Sequence, residues 1–336
     1  MARRVRWGVL GAASIALRRA IPGMRKGEWC EIAAIASRDL GKAKRAAESL
    51  GIPKAYGSYE ELLDDSSIEA IYNPLPNTLH VPWTIRAAEA GKHVLCEKPI
   101  GVSAADAERL IAVRDRAGVK IEEAFMVRTH PRWLRARELI RDGRIGELRV
   151  VSSFISYFNV DRTNIRNSYE ERGGALLDIG CYSVTLSRFL FGSEPVRVMA
   201  SIERDPEMKT DRVTSAILEF PGGRATFTCS TQVAYNQRFE ILGASGKIGI
   251  ERPLNPPVDE PTRISIDDNP SDPTGSGVTA ETFPACDQFT IQGDLFSRAV
   301  REGGEVAVPL EDSVRNMRAI DAIFRSGESG QWEGSG

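Results

Sequence analysis

The chain has 336 residues, enough for two domains that each bury a core of their own. A formal charge of -2 and a pI near 6.1, with Lys and Arg interleaved among Asp and Glu, exclude the basic face of a nucleic-acid binder and the charged tail of a disordered interactor. Cys30, Cys96, Cys181, Cys229 and Cys286 lack C-x-x-C spacing, and His80, His93 and His130 are dispersed, so neither a disulfide frame nor a metal centre is expected.

The scattered thiols read as reduced, which places the protein in the cytoplasm. Arg3, Arg4 and Arg6 before an apolar stretch imitate a secretory signal, but that stretch ends by Leu17 and runs into Arg18-Arg19. No transmembrane run and no membrane partner are expected.

Val5 to Leu10 reads as a short buried strand that breaks at Gly11, followed by a helical pattern from Ser14 to Met24. Strand, glycine turn and helix N-terminus together make an anion site, because unpaired backbone N–H groups point at the turn. The segment Gly11-Ala12-Ala13-Ser14-Ile15-Ala16 is a G-x-A-x-x-A version of the dinucleotide fingerprint. Gly11, Ala13, Ser14 and Ile15 are therefore candidate cofactor contacts. Ala13 replaces the second glycine, and its methyl crowds a pyrophosphate modestly.

The second strand, Glu31 to Ala36, ends in Ser37-Arg38, with Asp39 and Lys42 beyond. NAD sites place an acidic residue at this tip for the ribose hydroxyl. A hydroxyl and a guanidinium suit a 2′-phosphate instead, with Lys42 adding a point charge, so NADP is expected over NAD. The competing reading is an ordinary solvated helix start with Asp39 in its first turn.

Ser58 to Leu63 has a capping-box spacing. Ile68 to Tyr72 reads as a strand ending at Asn73-Pro74-Leu75-Pro76-Asn77, and His80 to Ala90 as a helix closed by Gly91. The apolar run His93 to Cys96 delivers Glu97-Lys98-Pro99 to the carboxyl edge of a sheet, where open α/β folds keep ligands. Lysine there can bind an anion, form a Schiff base or tune a neighbouring acid. A helix from Ala104 to Ala117, ended by Gly118, and a strand from Val119 to Ala124 follow.

After Arg128-Thr129-His130-Pro131 a helix is expected to Asp142. Strands are expected at Leu148–Phe158, Val196–Ile202, Val213–Phe220, Ala225–Thr231, Arg238–Leu242 and Ile248–Glu251, with turns at Pro221-Gly222-Gly223 and Ala244-Ser245-Gly246. Pro253 to Gly277 reads as a long surface excursion, Ala285–Arg301 and Glu311–Arg325 as helices, and the tail after Gly327 as frayed. Within Gly173 to Tyr182, a helix would put Asp178 and Tyr182 on one face. Alternatively, Tyr182 only packs and Asp178 only caps. The fold class is α/β: a doubly wound parallel sheet over residues 1–125, then an α+β domain with a large, open, mostly antiparallel sheet over 126–336.

Gly11-x-Ala13-x-x-Ala16, Pro76-Asn77-x-x-His80, Gly91 to Pro99 and Glu123-Ala124-Phe125-Met126-x-Arg128 resemble the Gfo/Idh/MocA oxidoreductases, in order and over nearly the whole chain. The resemblance implies an N-terminal Rossmann domain and an NAD(P)-dependent reaction on sugars, inositols or related polyols. It also implies cofactor contacts at Pro76, Asn77, His80, Glu97, Lys98 and Arg128, with His80 supporting the cofactor loop. Many relatives have histidine at the Tyr182 position; tyrosine there resembles glucose–fructose oxidoreductases, aldose 1-dehydrogenases and dihydrodiol dehydrogenases.

The expected chemistry then assigns proton transfer to Tyr182. A free phenol, with a pKa near 10, is a poor base at neutral pH, and a lysine ammonium within reach stabilises its phenolate. Lys98 takes that part, and Asp178 orients a substrate hydroxyl. Arg128 and Arg166 either line the same cleft or form domain-interface ion pairs. Lys98, Arg166, Asp178 and Tyr182 are the expected sugar contacts, and C1 of an aldose is the expected reacting carbon. Other readings stand beside this one: an aldose–aldose oxidoreductase that keeps its NADP, a dihydrodiol dehydrogenase, and a regulator that binds NADP without turnover, which would need neither Lys98 nor Tyr182. An uncovered sheet face would be apolar and would pair copies into a dimer or tetramer through Val213–Phe220 and Ala225–Thr231.

Overall fold

The computed structural model describes residues 3–269, 271 and 274–336. The chain forms two compact units, one built from residues through Thr129 together with Asp287–Val314, the other from His130–Cys286 and Arg315–Gly336.

In the first unit, strands β1 (Val5–Leu10), β2 (Cys30–Ala36), β3 (Lys54–Tyr56), β4 (Ala70–Asn73), β5 (His93–Cys96) and β6 (Ile121–Glu123) form one parallel sheet in the order β3-β2-β1-β4-β5-β6. This is the doubly wound order, in which the direction of winding reverses beside β1 and opens a crevice at the strands' carboxyl ends. The intervening helices are α1 (Ile21–Met24), α2 (Leu40–Leu50), α3 (Tyr59–Leu63), α4 (Asn77–Glu89) and α5 (Ala104–Ala117). The segment before α1 winds as a π-helix over Ala16–Ala20. Local chemistry sets the limits of α5: the Ser103 hydroxyl accepts from Asp106 N, and Gly118 closes the helix at φ +66°. Helix α4 starts three residues before the expected His80, because Pro76 occupies the N-cap, where its missing N–H costs nothing.

The second unit opens with α6 (Pro131–Arg141) and β7 (Leu148–Phe158), and continues through α7 (Cys181–Phe191), β8 (Arg197–Arg204), β9 (Asp211–Phe220), β10 (Gly223–Ser230), β11 (Gln232–Gly243), β12 (Lys247–Glu251), β13 (Thr262–Asp267) and β14 (Thr279–Phe283). Its nine-stranded sheet runs β14-β13-β12-β11-β7-β10-β9-β8-β15, where β15 is Glu333–Gly334. Only β7 and β10 pair parallel; the other neighbours are antiparallel. A two-residue turn, Pro221-Gly222, joins Phe220 to Gly223, as expected.

The chain returns to the first unit with α8 (Gln288–Glu302), where Trp7 Nε1 donates to Ser297 Oγ at 3.1 Å and the Trp7 ring packs on Phe296. Helix α9 (Leu310–Ser329) follows.

Two expectations change here. The excursion at 253–277 contains strand β13, whose Ile264 and Ile266 are buried; residues 270, 272 and 273 lie outside those described. The tail is anchored, with Glu333 paired to Val198, Arg325 bridged to Glu333, and Arg197 lying over the Trp332 ring. The uncovered sheet face mixes apolar and hydroxyl side chains. Period-two alternation turns Ala225, Phe227 and Cys229 inward, and leaves Ser152, Ser215, Thr226 and Thr228 around Phe154, Met199 and Ile217 outside. Among the described residues, no helix is long and apolar enough to cross a membrane, and no cluster of His, Cys, Asp and Glu could hold a metal.

Candidate active site

At the carboxyl end of β1, Gly11 adopts φ +81°, a conformation that disfavours side chains, and its N–H donates to Ala36 O at 2.7 Å. A methyl there would meet Leu75 Cδ2 at 3.0 Å and the Tyr59 hydroxyl at 3.5 Å. The turn thus ends β1 with a residue that has no room for a side chain. Ser14 at the following helix start is exposed, and Ala13 and Ile15 are half-buried.

At the tip of β2, Ser37 is buried and its hydroxyl accepts from Asp39 N. Asp39 is not in the first turn of α2 but is its N-cap, accepting from Lys42 N at 3.1 Å. The one carboxylate near the tip is therefore committed to the helix, while Arg38 and Lys42 stay exposed. The Arg38 guanidinium acts on the hydroxyl of Tyr59: burial pushes that phenol up, and the positive charge opposes the shift. Tyr59 stacks edge-on against Trp83. Sequence reasoning missed Tyr59, because α3 signals only its caps.

The loop after β4 is tied by Asn73, whose side-chain amide donates to His80 O and Thr84 Oγ1. Pro76 and Asn77 lead into α4. The His80 ring is fully buried, with Nδ1 2.7 Å from Pro99 O and Nε2 2.7 Å from Leu75 O. Burial, seconded by the Lys98 charge, pushes its pKa down to about 4 against both carbonyl contacts. A neutral ring can donate to only one of these carbonyls, and a charged ring to both, so the two contacts oppose the effect of burial. The ring braces the Pro99 turn against the Leu75 loop and is shut away from bulk proton exchange.

Glu97 and Lys98 are half-buried at the end of β5. The Tyr72 hydroxyl donates to Glu97 Oε1 at 2.5 Å, Lys98 N donates to Glu97 Oε2, and Ile100 N donates to Glu123 Oε1. The turn carrying Lys98 is thus held from three sides. Arg128, on the 3-10 turn Met126–Thr129, forms an ion pair with Asp312 at 2.9 Å within the first unit.

In the second unit, Asp178 lies in a π-helical turn over Leu176–Gly180, which runs directly into α7 and Tyr182. Such π segments recur at functional sites. Tyr182 is 5% exposed. Asp178 Oδ2 accepts from the Tyr157 hydroxyl at 2.6 Å, and Oδ1 accepts from Arg166 Nε at 3.1 Å. Burial and the adjacent carboxylate push the Tyr157 phenol well up, keeping it protonated as a donor.

The glycines upstream build this cluster. Gly174 N donates to Arg166 O and Gly173 N to Ser168 O, and a methyl on Gly173 would strike Arg166 O. Gly174, at φ +121°, leaves room for the Asp211 carboxylate, which accepts from Leu176 N at 2.7 Å and Thr214 Oγ1 at 2.9 Å. The paired glycines hold the loop of Arg166 beside the helix of Asp178. Tyr157 was visible in sequence only as a strand-end aromatic.

The first unit thus carries Gly11, Ser37, Arg38, Glu97 and Lys98 at the carboxyl ends of its strands, with His80 in the first turn of α4; the second gathers Tyr157, Arg166 and Asp178 one helical turn before Tyr182. Residues 5–125 match the oxidoreductase family with an NAD-binding Rossmann fold, and residues 133–249 match the GFO/IDH/MocA C-terminal domain.

The chain is a Gfo/Idh/MocA oxidoreductase.

Within that family, an uncharacterised oxidoreductase of Rhizobium meliloti is 45% identical over 98% of each chain. A D-xylose 1-dehydrogenase (NADP(+)) of Haloferax volcanii is 37% identical over 96% of this chain and 98% of its own. Among solved structures, a 3-ketoreductase from Actinomadura kijaniata, in complex with NADP and TDP-benzene, superposes with a TM-score of 0.90 at 32% identity, covering 96% of this chain and 98% of its own. Solved variants of that ketoreductase replace a lysine and a tyrosine that stand as far apart in its chain as Lys98 and Tyr182 do here. This Gfo/Idh/MocA chain is an enzyme of a family whose members act on sugars as dehydrogenases and reductases.

Proposed function

We propose that this enzyme is an NADP-dependent sugar dehydrogenase acting at C1 of an aldose. The observation that carries the reading is the anchored Asp178 carboxylate, held by Tyr157 and Arg166 one turn before Tyr182. A carboxylate with both oxygens already directed is a rigid acceptor for a sugar hydroxyl.

NADP, when bound, supplies the nicotinamide that takes or gives a hydride. Gly11, Ala13, Ser14 and Ile15 hold its pyrophosphate against the helix start, and Ser37, Arg38 and Lys42 hold the 2′-phosphate. Asp39 is committed as a helix cap, which removes the acceptor that NAD would need. Pro76, Asn77, Glu97 and Arg128 complete the cofactor contacts. Tyr182 takes the proton of the reacting hydroxyl, and Lys98 stabilises the phenolate. Asp178 and Arg166 orient the sugar. The kinship with a D-xylose 1-dehydrogenase supports the dehydrogenase reading, and the residue types replaced in the ketoreductase variants support the lysine–tyrosine pair.

The test is NADP reduction, followed spectrophotometrically with D-xylose, D-glucose and other aldoses, in the wild type and in Tyr182→Phe. Turnover that depends on Tyr182 is expected. Aldose-independent behaviour, or activity only on a nucleotide-linked ketosugar, would overturn the assignment to C1.

A further inference from the structure

A cluster outside the proposed site pairs a nucleophile with a donor and a cation. His130 is the N-cap of α6, and its Nδ1 accepts from Arg132 N at 3.2 Å. In a neutral ring that bond forces the proton onto Nε2. Nε2 lies 3.5 Å from the sulfur of Cys286, so His130 donates to the thiol rather than removing its proton. The ring stays neutral, since burial first and Arg132 second push its pKa down to about 4.

Arg132 supplies the positive charge. Its guanidinium is buried, with Nη1 and Nη2 donating to the carbonyls of Glu251 and Arg252, and it has no carboxylate partner in those bonds. Its Nε is buried with no hydrogen-bond partner among the described residues, and its charge is felt at Cys286. A buried cation bonded only to neutral carbonyls favours a nearby anion. Of the five cysteines, Cys286 alone is not buried. Burial suppresses three of the others, pushing the Cys30 thiol up to about 12 and raising those of Cys96 and Cys229.

We propose that Cys286 is a modification site, a thiolate made nucleophilic by His130 and Arg132 that small peroxides oxidise to sulfenic acid. The thiol first gives its proton to solvent; the sulfur then attacks one peroxide oxygen, an S–O bond forms as the O–O bond breaks, and the leaving hydroxide takes up a proton from solvent equivalent to the one the thiol released, giving water. The sulfur is oxidised and the peroxide reduced. The step uses no residue of the proposed hydride-transfer site, so it stands or falls independently of that reading.

The experiment treats the native full-length protein at pH 7 with iodoacetamide, or with hydrogen peroxide followed by dimedone, and maps labelled cysteines by mass spectrometry. Ordinary thiols are only a few per cent ionised at that pH, so an activated one should be alkylated about tenfold faster than glutathione. Cys286 should carry nearly all the sulfenic-acid label. In His130→Asn the amide oxygen can still cap α6, but the donor to sulfur is lost, and the alkylation rate should fall several-fold toward that of glutathione. Should that variant fail to fold, the wild-type rate against glutathione decides. A rate at or below that of glutathione, or an unchanged rate in folded His130→Asn, overturns the proposal.

Discussion

Tyr157 donates to Asp178 at 2.6 Å across 21 residues of chain, fixing one oxygen of a carboxylate whose other oxygen receives Arg166. A hydrogen bond to a charged group contributes about 1.5–3 kcal/mol. Tyr157→Phe should therefore cost about 10- to 100-fold in kcat/KM for the sugar, while NADP affinity stays unchanged. Asp178→Asn should cost at least as much. Steady-state kinetics with cofactor titration separate the two effects; a Tyr157→Phe enzyme with wild-type kcat/KM would remove Asp178 from the substrate site.

If Tyr182 is the acid/base and Lys98 its partner, Tyr182→Phe abolishes turnover with little change in NADP binding, since the proton moves only during reaction. Lys98→Met should lose activity as well. The double variant should be barely worse than either single one, because both residues serve one step. Additive losses in kcat would show that they act separately.

Cofactor choice rests on Arg38. Its removal in Arg38→Ala should weaken NADP by about 1.5–3 kcal/mol and leave NAD nearly untouched, because the guanidinium pairs with the 2′-phosphate that NAD lacks. Fluorescence titration with both cofactors reads the gap directly. Equal affinities in the wild type would refute the NADP assignment.

Glu122 predicts a pH-dependent stability. It is fully buried at the end of the first sheet, and burial pushes its carboxyl from 4.5 up to about 8, against a hydrogen bond from Ala307 N and the Arg128 charge. Between those values the folded protein holds a proton that the unfolded chain has released. Stability from this group therefore falls as pH rises from about 4.5 to about 8, and is flat above. Glu122→Gln should remove that slope and gain on the order of a few kcal/mol relative to wild type at pH 8. Thermal melts from pH 5 to 8 check it; parallel curves for the two proteins would contradict a protonated Glu122.

Association is expected through the open sheet face. The face presents Ser215 and Thr228, bonded to each other at 2.8 Å, around Phe154, Met199 and Ile217. We propose a dimer through this face, and Ile217→Arg should dissociate it. Sedimentation at micromolar concentration tests this: a wild-type monomer would end the proposal.

What the sequence by itself determined is whatever short-range chemistry decides. Ser103 and Gly118 set the ends of α5, alternating apolar residues set β7 at Leu148–Phe158, and Gly11 after a buried strand marked the turn that ends β1. Those signals sit within a few residues of what they control, so they can be read without knowing the fold. The same holds for the hydroxyl and guanidinium of Ser37-Arg38 at the tip of β2, although only the structure showed that Asp39, the next residue, is committed to capping α2.

Tertiary structure decided whatever joins distant segments. Tyr157 meets Asp178 because β7 runs beside the helix start that Gly173 and Gly174 press against the Arg166 loop. The tail after Gly327 is ordered because its backbone finds an edge strand, β8, that no local pattern announces. His130 reaches Cys286 across 156 residues of chain. Such pairings depend on which backbone surfaces come to lie side by side, and side-chain periodicity carries information about the burial of a face but not about the identity of its neighbour.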